Sequence, residues 1–415
     1  MIENETQKKE KALLIGIDTG EYDAEASADE LCELAKTAGA EVCGTMIQKR
    51  PAPNAASYIG AGRLGEVCEF CKNNEIDLII ADSELTPVQI RNIEDAANTR
   101  VVDRTTLILD IFASRARSSE GKIQVELAQL KYSLPRLGGK GTALSRLGGG
   151  IGTRGPGETK LESDKRHIRR KIQSLKEELD KIESRRRAMH ERRKKNGALS
   201  VAVVGYTNAG KSTLMNALTD AGVLAEDMLF ATLDPTARRL ELPDGRDVML
   251  IDTVGLVRRL PHNLVNAFHS TLEEAVHADL ILNVCDASSE DYEEHLSVTN
   301  ELLAELGCTG IPVINVLNKC DLPGAENAVS FAPAKSVCIS ALKKSGLQEL
   351  LDLICASLPD TVRRVRVLLP FDKGALTAKI REGGAVFGEE FTEKGILIDA
   401  NIEISYLPLI IDYIV

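Results

Sequence analysis

Residues 199–213 read LSVAVVGYTNAGKST. The opening run, Leu199 to Val204, is apolar and rich in β-branched residues, the signature of a parallel strand buried on both faces. Gly205, Gly210, Lys211 and Ser212 then match G-x-x-x-x-G-K-[ST], and the residues after them have helical character. Strand, loop and helix follow in the order that a phosphate-binding loop requires. Glycines let backbone N–H groups turn inward around a triphosphate, at a helix N-terminus whose partial positive charge favours anions. Asn208, Ala209 and Thr213 complete the segment expected to line the nucleotide. Lys211 is expected to reach the outer phosphates, and the Ser212 hydroxyl to hold a magnesium ion.

Downstream residues say which nucleotide. The strand-like DVMLIDT (247–253) follows RRLEL (238–242) across the turn residues Pro243, Asp244 and Gly245, which predicts an antiparallel hairpin. Asp252 opens D-T-V-G at the end of that strand, positioned to hold magnesium through water, and Gly255 offers its N–H to the terminal phosphate. A switch threonine that binds the metal is expected in FATLDPT (230–236), at Thr232 in preference to Thr236. Lys211, Thr232 and Gly255 are therefore the candidate catalytic groups, and Ser212, Thr232 and Asp252 the candidate metal ligands. Further on, NKCD places Asn318, Lys319 and Asp321 after an apolar strand. A carboxylate at Asp321 can accept from the two N–H groups on a guanine edge, a pair that adenine lacks. Asn318 and the Lys319 stem would support the base. Ser340, Ala341 and Leu342 at another strand end would bring a backbone amide to the guanine oxygen.

Outward from this centre, residues 11–103 alternate short apolar runs with helical patterns, which argues a small α/β domain with a mostly parallel sheet. The Pro- and Gly-rich stretch at 51–63 reads as an ordinary connection, with a substrate or nucleotide role for Gly60, Gly62 and Arg63 as the less favoured alternative. From 104 to 134 the period becomes helical, and Ile123, Leu127, Leu130 and Leu134 form an apolar stripe along one helix. A second apolar stripe, Leu161, Ile168, Ile172, Leu175, Leu179 and Ile182, holds a seven-residue repeat. Together they predict an antiparallel hairpin of two long helices. The loop between them (135–158) carries nine glycines and four basic residues, too polar for a core and too long to be a simple connection. Its G-x-G-x-x-G at Gly150, Gly152 and Gly155 follows no strand, so a dinucleotide fingerprint is rejected. Beyond 359, strand, helix, strand, strand suggests a small α+β appendage.

Charge is distributed unevenly. The 415-residue chain has a net charge of −11, yet residues 160–195 hold 15 Lys and Arg against 7 Asp and Glu. A basic segment in an acidic protein is the electrostatic footprint expected of RNA phosphate contact. Aromatics make up 4% of the chain and Trp is absent, so base stacking is not the main mode of recognition. The nine cysteines are scattered, which fits a reducing compartment, and Cys68 and Cys71 read as one helix face. No apolar run has the length of a membrane span. A cytoplasmic monomer is expected.

The ordered set GYTNAGKS, switch threonine, DTVG, NKCD and SAL resembles the translation-factor-related class of P-loop GTPases. Over nearly its full length the chain resembles the HflX family, on LSRLGGGIGTRGPGETKLESDKR (144–166), QVELAQLKYSLPRL (124–137) and FATLDPTARRL (230–240). The fold class expected is α/β multidomain: an N-terminal α/β domain (1–103), a helical hairpin with a glycine-rich loop (104–196), a P-loop GTPase domain (197–359) and a small α+β C-terminal domain (360–415). The resemblance implies GTP and GDP with Mg2+, the large ribosomal subunit and its RNA as partner, and splitting or rescue of ribosomes under stress. A subunit-dissociation factor in which hydrolysis only recycles the protein, and an RNA-remodelling NTPase, are the alternatives. Where Ras-like proteins carry a glutamine after D-x-x-G, this chain has Leu256, which cannot orient a water. Slow intrinsic hydrolysis, assisted by a ribosomal element, is the expectation.

Overall fold

The computed structural model describes residues 9–138, 160–195, 199–219, 229–230, 236–259, 274–308, 310–330, 335–359 and 362–415. Thr232 and most of the glycine-rich loop, including Gly150, Gly152 and Gly155, lie outside them. The chain forms two compact units. The first comprises Met1–Arg185, Glu226–Asp234 and Val257–Ser270, and the second Arg186–Ala225, Pro235–Leu256 and Thr271–Val415.

In the first unit, β1 (Lys11–Asp18), β2 (Glu41–Lys49), β3 (Leu78–Ala81) and β4 (Arg100–Asp103) form a parallel sheet in the order β2-β1-β3-β4. The middle six residues of β1 are all buried. This is why its sequence is continuously apolar rather than alternating. The intervening helices are α1 (Ala24–Thr37), α2 (Ala61–Asn74) and α3 (Pro87–Ala97). Asp23 caps α1 by accepting from Glu25 N and Ala26 N, and Thr86 with Gln89 makes a reciprocal capping box on α3. The 51–63 connection packs onto this sheet: Tyr58 and Ile59 are buried in its core, and Gln89 Nε2 donates to Asn54 O at 2.7 Å. Arg63 is already in α2, donating to Ile47 O at 3.0 Å. Cys68 and Cys71 share that helix, with Cys71 buried in the core.

The single helix expected over 104–134 is two, α4 (Arg104–Arg115) and α5 (Ser119–Ser133). Ala116 is extended, and Ser118 starts a fresh helix by accepting from Gly121 N at 2.9 Å. The new cap at Ser118 separates the two helices, and Ile123, Leu127 and Leu130 all lie in the second. Asp103 ties these elements together. It caps α4 through Thr106 N, accepts from Leu85 N at 3.1 Å, and receives the Tyr132 hydroxyl, whose ring lies 3.4 Å beneath the Arg136 guanidinium. Helix α6 (Lys160–Lys195) follows, tied to α5 by the Lys171–Glu126 ion pair. Ile168, Ile172, Leu175, Leu179 and Ile182 are among its less exposed positions, at the spacing of the seven-residue repeat.

Residues 229–230 and 257–259, which by sequence belong to the nucleotide-binding region, are part of the first unit. Phe230 packs edge-on against Phe112 at 4.6 Å. Buried Arg104 pairs with Glu30 and with Asp82 (2.7 Å), and donates to Arg258 O at 3.2 Å; Arg259 reaches Asp82 at 3.3 Å and lies over the Tyr22 ring.

In the second unit, β5 (Leu199–Gly205), β6 (Thr236–Glu241), β7 (Asp247–Asp252), β8 (Leu280–Asp286), β9 (Val313–Asn318) and β10 (Ser336–Cys338) form a sheet ordered β10-β9-β8-β5-β7-β6. All neighbours are parallel except β6, the antiparallel edge strand of the expected hairpin. Helices α7 (Lys211–Thr219), α8 (Tyr292–Glu305), α9 (Ala325–Ser330) and α10 (Leu347–Ser357) accompany it. The core is built on fully buried Val201, Val203, Leu214, Leu250, Leu280, Leu282, Ile314 and Val316; such side chains contribute about 1.5–3 kcal/mol each on burial. Chain order reverses beside β5, so the crevice at its carboxyl end is the topological switch point where ligands of open α/β sheets bind.

The C-terminal residues add an antiparallel sheet, β11 (Val362–Leu369), β12 (Gly384–Thr392) and β13 (Gly395–Glu403) in the order β11-β13-β12, with α11 (Gly374–Gly383) against it. Asn401 Nδ2 donates to Asp244 O at 2.7 Å, and buried Arg246 donates to Pro359 O and Cys355 O. Among the described residues no helix is long and apolar enough to cross a membrane.

Candidate nucleotide site

The phosphate loop leaves the buried end of β5 at Gly205, whose φ is +146°; a Cβ there would lie 2.1 Å from Val284 O. Only glycine permits so close an approach of neighbouring strand backbone. Gly210, with φ +90°, opens α7, and a Cβ on it would come within 2.3 Å of Asn318 Nδ2. Asn208 takes the left-handed conformation between them, with φ +59°, which asparagine tolerates better than most residues.

Lys211 is buried and curls back over the loop, donating to Gly205 O at 2.9 Å and Tyr206 O at 2.8 Å. Burial pushes its ammonium down to about 8, while the Asp252 charge pulls the other way. This predicts a pH dependence. Only the protonated amine attracts phosphate, so triphosphate affinity is expected to fall about fourfold between pH 7 and 8.5, with proton uptake on binding. Calorimetric titration in buffers of different ionisation enthalpy measures both, and a flat affinity with no proton uptake contradicts the assignment.

Ser212 Oγ donates to Asp252 Oδ2 at 3.1 Å, joining the start of α7 to the end of β7. A hydroxyl and a buried carboxylate side by side are hard oxygen donors that fit a magnesium ion. Thr213 follows in the first turn of α7. Thr236 stands opposite Asp252 in the β6–β7 pairing. Beyond Asp252, Thr253 is anchored to Val203 O through both its N–H (3.2 Å) and its hydroxyl (2.8 Å). Leu256 N then donates to Gly205 O at 3.1 Å and Thr207 N to Leu256 O at 2.7 Å. These bonds carry strand pairing past the ends of β5 and β7 and hold Gly255 against the loop. A Cβ on Gly255 would lie 2.7 Å from Thr207 Cγ2 and 3.0 Å from Lys211 Nζ.

The residues expected to recognise the base converge on the same end of the sheet. Asn318, 2% exposed, donates through Nδ2 to Ala209 O at 2.8 Å and accepts at Oδ1 from Ala341 N at 3.0 Å. One amide thus braces the phosphate loop against the Ser340–Leu342 turn. Lys319 pairs with Asp286 at 2.7 Å, and Asp321 with Lys343 at 3.3 Å. A hydrogen bond from Ser340 holds the Asp321 carboxyl below the usual carboxylate range, and Lys343 adds to it. Leu342 is 80% exposed. Asp286, Lys343 and Thr207 stand against these candidate residues and were not singled out from the sequence. A carboxylate ending an apolar strand signals Asp286; no local signal marks the other two.

Three family models match in succession: a GTP-binding GTPase N-terminal region over residues 25–113, a GTP-binding GTPase middle region over 115–193, and a 50S ribosome-binding GTPase over 200–319. A GTPase HflX from Caldanaerobacter subterraneus subsp. tengcongensis is 52% identical, covering 97% of this chain and 93% of the relative. Its counterpart from Escherichia coli K12 is 38% identical, with 98% of each covered. A solved GTP-binding protein from Sulfolobus solfataricus in complex with GDP is 28% identical, covering 84% of this chain and 98% of that one at a TM-score of 0.45. With family models spanning most of its length and full-length relatives at this identity, the chain belongs to the HflX family of GTPases.

Proposed function

We propose that this GTP hydrolase is a nucleotide-controlled factor that binds the large ribosomal subunit and separates or rescues ribosomes. Guanine-nucleotide binding and hydrolysis belong to the family; the ribosomal target is our reading. Its main support is the basic helix α6, in which Arg185 and Arg187 are exposed beyond the apolar seam of a protein that is acidic overall. The family description "50S ribosome-binding GTPase" for residues 200–319 points the same way. In this reading Lys211 and the Gly255 N–H hold the terminal phosphate, Ser212 and Asp252 hold Mg2+ with a switch threonine, Thr232, and Asp321 reads guanine. The Ala341 N–H is engaged by Asn318, so the next amide, that of Leu342, meets the guanine oxygen. Mg2+, when bound there, would neutralise charge on the outer phosphates. Such a partner is met in the cytoplasm, and the chain acts as a monomer.

Co-sedimentation with purified large subunits tests the partner and the switch together. The chain with a non-hydrolysable GTP analogue is expected in the ribosomal pellet, and with GDP largely in the supernatant. Equal absence from the pellet in both states defeats the reading. Arg185→Gln with Arg187→Gln is expected to weaken pelleting and to reduce the slope of log affinity against log salt by about one to two. An unaltered slope returns these arginines to an ordinary solvated face.

A further inference from the structure

Thr207 lies inside the phosphate loop, 7% exposed, and its Oγ1 has no hydrogen-bond partner among the described residues. The loop does not need that hydroxyl for its shape: the Thr207 backbone N–H is bound to Leu256 O at 2.7 Å, and Ala209 N closes the turn on Tyr206 O at 3.3 Å. Valine would fill the same volume without burying an unsatisfied polar group, so the hydroxyl is a cost to this arrangement unless something else binds it. Its surroundings say what. The Thr207 methyl, the Gly255 Cα and Lys211 Nζ meet within the reach of one added carbon, which is where the loop and the D-T-V-G turn face the outermost phosphate. Lys211 Nζ is engaged on two carbonyls and Ser212 Oγ on Asp252.

We infer that the Thr207 hydroxyl donates a hydrogen bond to the terminal phosphoryl group of bound GTP, and so distinguishes the triphosphate from the diphosphate. The inference rests on the chain's binding of guanine nucleotide. Leu256 lends it weight, since that side chain has no donor to offer the terminal phosphate.

Thr207→Val keeps the shape and removes the donor; Thr207→Ala removes it without adding a second methyl; Thr207→Ser keeps it. Affinities are read with fluorescent GDP and a fluorescent non-hydrolysable GTP analogue in the presence of Mg2+. The valine and alanine variants are expected to bind the triphosphate analogue about tenfold or more weakly. GDP affinity should stay within about twofold of wild type, which also reports an intact fold, and serine should restore triphosphate affinity. Unchanged triphosphate affinity in the variants, or an equal loss for GDP and the analogue, overturns the role of Thr207. A wild-type chain that binds neither nucleotide overturns the guanine reading, and the inference falls with it.

Discussion

Asp321→Asn is expected to lower GTP affinity by about two to three orders of magnitude and to raise affinity for xanthosine triphosphate. Guanine offers two donors, N1–H and the 2-amino group, and a carboxylate accepts both in parallel. Each hydrogen bond to a charged acceptor contributes about 1.5–3 kcal/mol, so losing one and weakening the other accounts for the range. Asparagine turns an N–H toward a base that itself donates, whereas xanthine carries an oxygen in place of the 2-amino group and accepts it. The surroundings suit an ionised acceptor at residue 321: Ser340 donates to the carboxylate, and Lys343 lies 3.3 Å away. Lys343 is 62% exposed at its side chain, so its removal should matter far less than loss of Asp321. Competition titrations with GTP and xanthosine triphosphate decide the matter. A variant that still prefers GTP by the wild-type ratio would falsify the assignment of Asp321 to the base edge.

What could be read before the structure was whatever has a local cause. The β5 run, the glycine spacing and the Pro243–Gly245 turn each dictate backbone within a few residues of themselves, and the antiparallel β6–β7 pair follows from the turn; the placing of β7 and β8 on either side of β5 has no such local cause. Asn318 was legible as part of a motif but not as a brace. Its partners, Ala209 and Ala341, are 109 and 23 residues away, and nothing in N-K-C-D says that its amide closes two loops. The demand for glycine at 205 comes from Val284 O on a neighbouring strand, again a long-range cause. The break at Ala116 was missed because the helical period was read across 104–134 as one run, whereas Ala116 is extended and the Ser118 cap starts a second helix. The grouping of residues 257–259 with the first unit was also hidden. It depends on Arg104, Asp82 and Glu30 meeting at the ends of separate elements, and polar side chains carry no periodicity that announces such a meeting.

Saturating large ribosomal subunits are expected to raise the GTP turnover of this chain by two orders of magnitude or more. The reason is Leu256. Its side chain is 4% exposed, and its backbone is paired on both sides, N–H to Gly205 O and carbonyl to Thr207 N–H. The residue that follows D-T-V-G is thus held against the phosphate loop with nothing on it that can hydrogen-bond a water. Groups that orient the nucleophile or neutralise the transition state, when supplied by a partner, contribute factors of about 10³–10⁵ in related chemistry. In the proposed site Lys211 and Gly255 still bind phosphate, so ground-state affinity is expected to be retained while the chemical step lacks a component. A partner that orders the water should therefore raise kcat and leave KM for GTP within a few-fold. The Arg185→Gln, Arg187→Gln variant separates docking from chemistry: it should need more subunit to reach the same maximal rate. Turnover that stays flat as large subunits are added would mean that Leu256 has been replaced from within the chain, and that hydrolysis is not the step the ribosome controls.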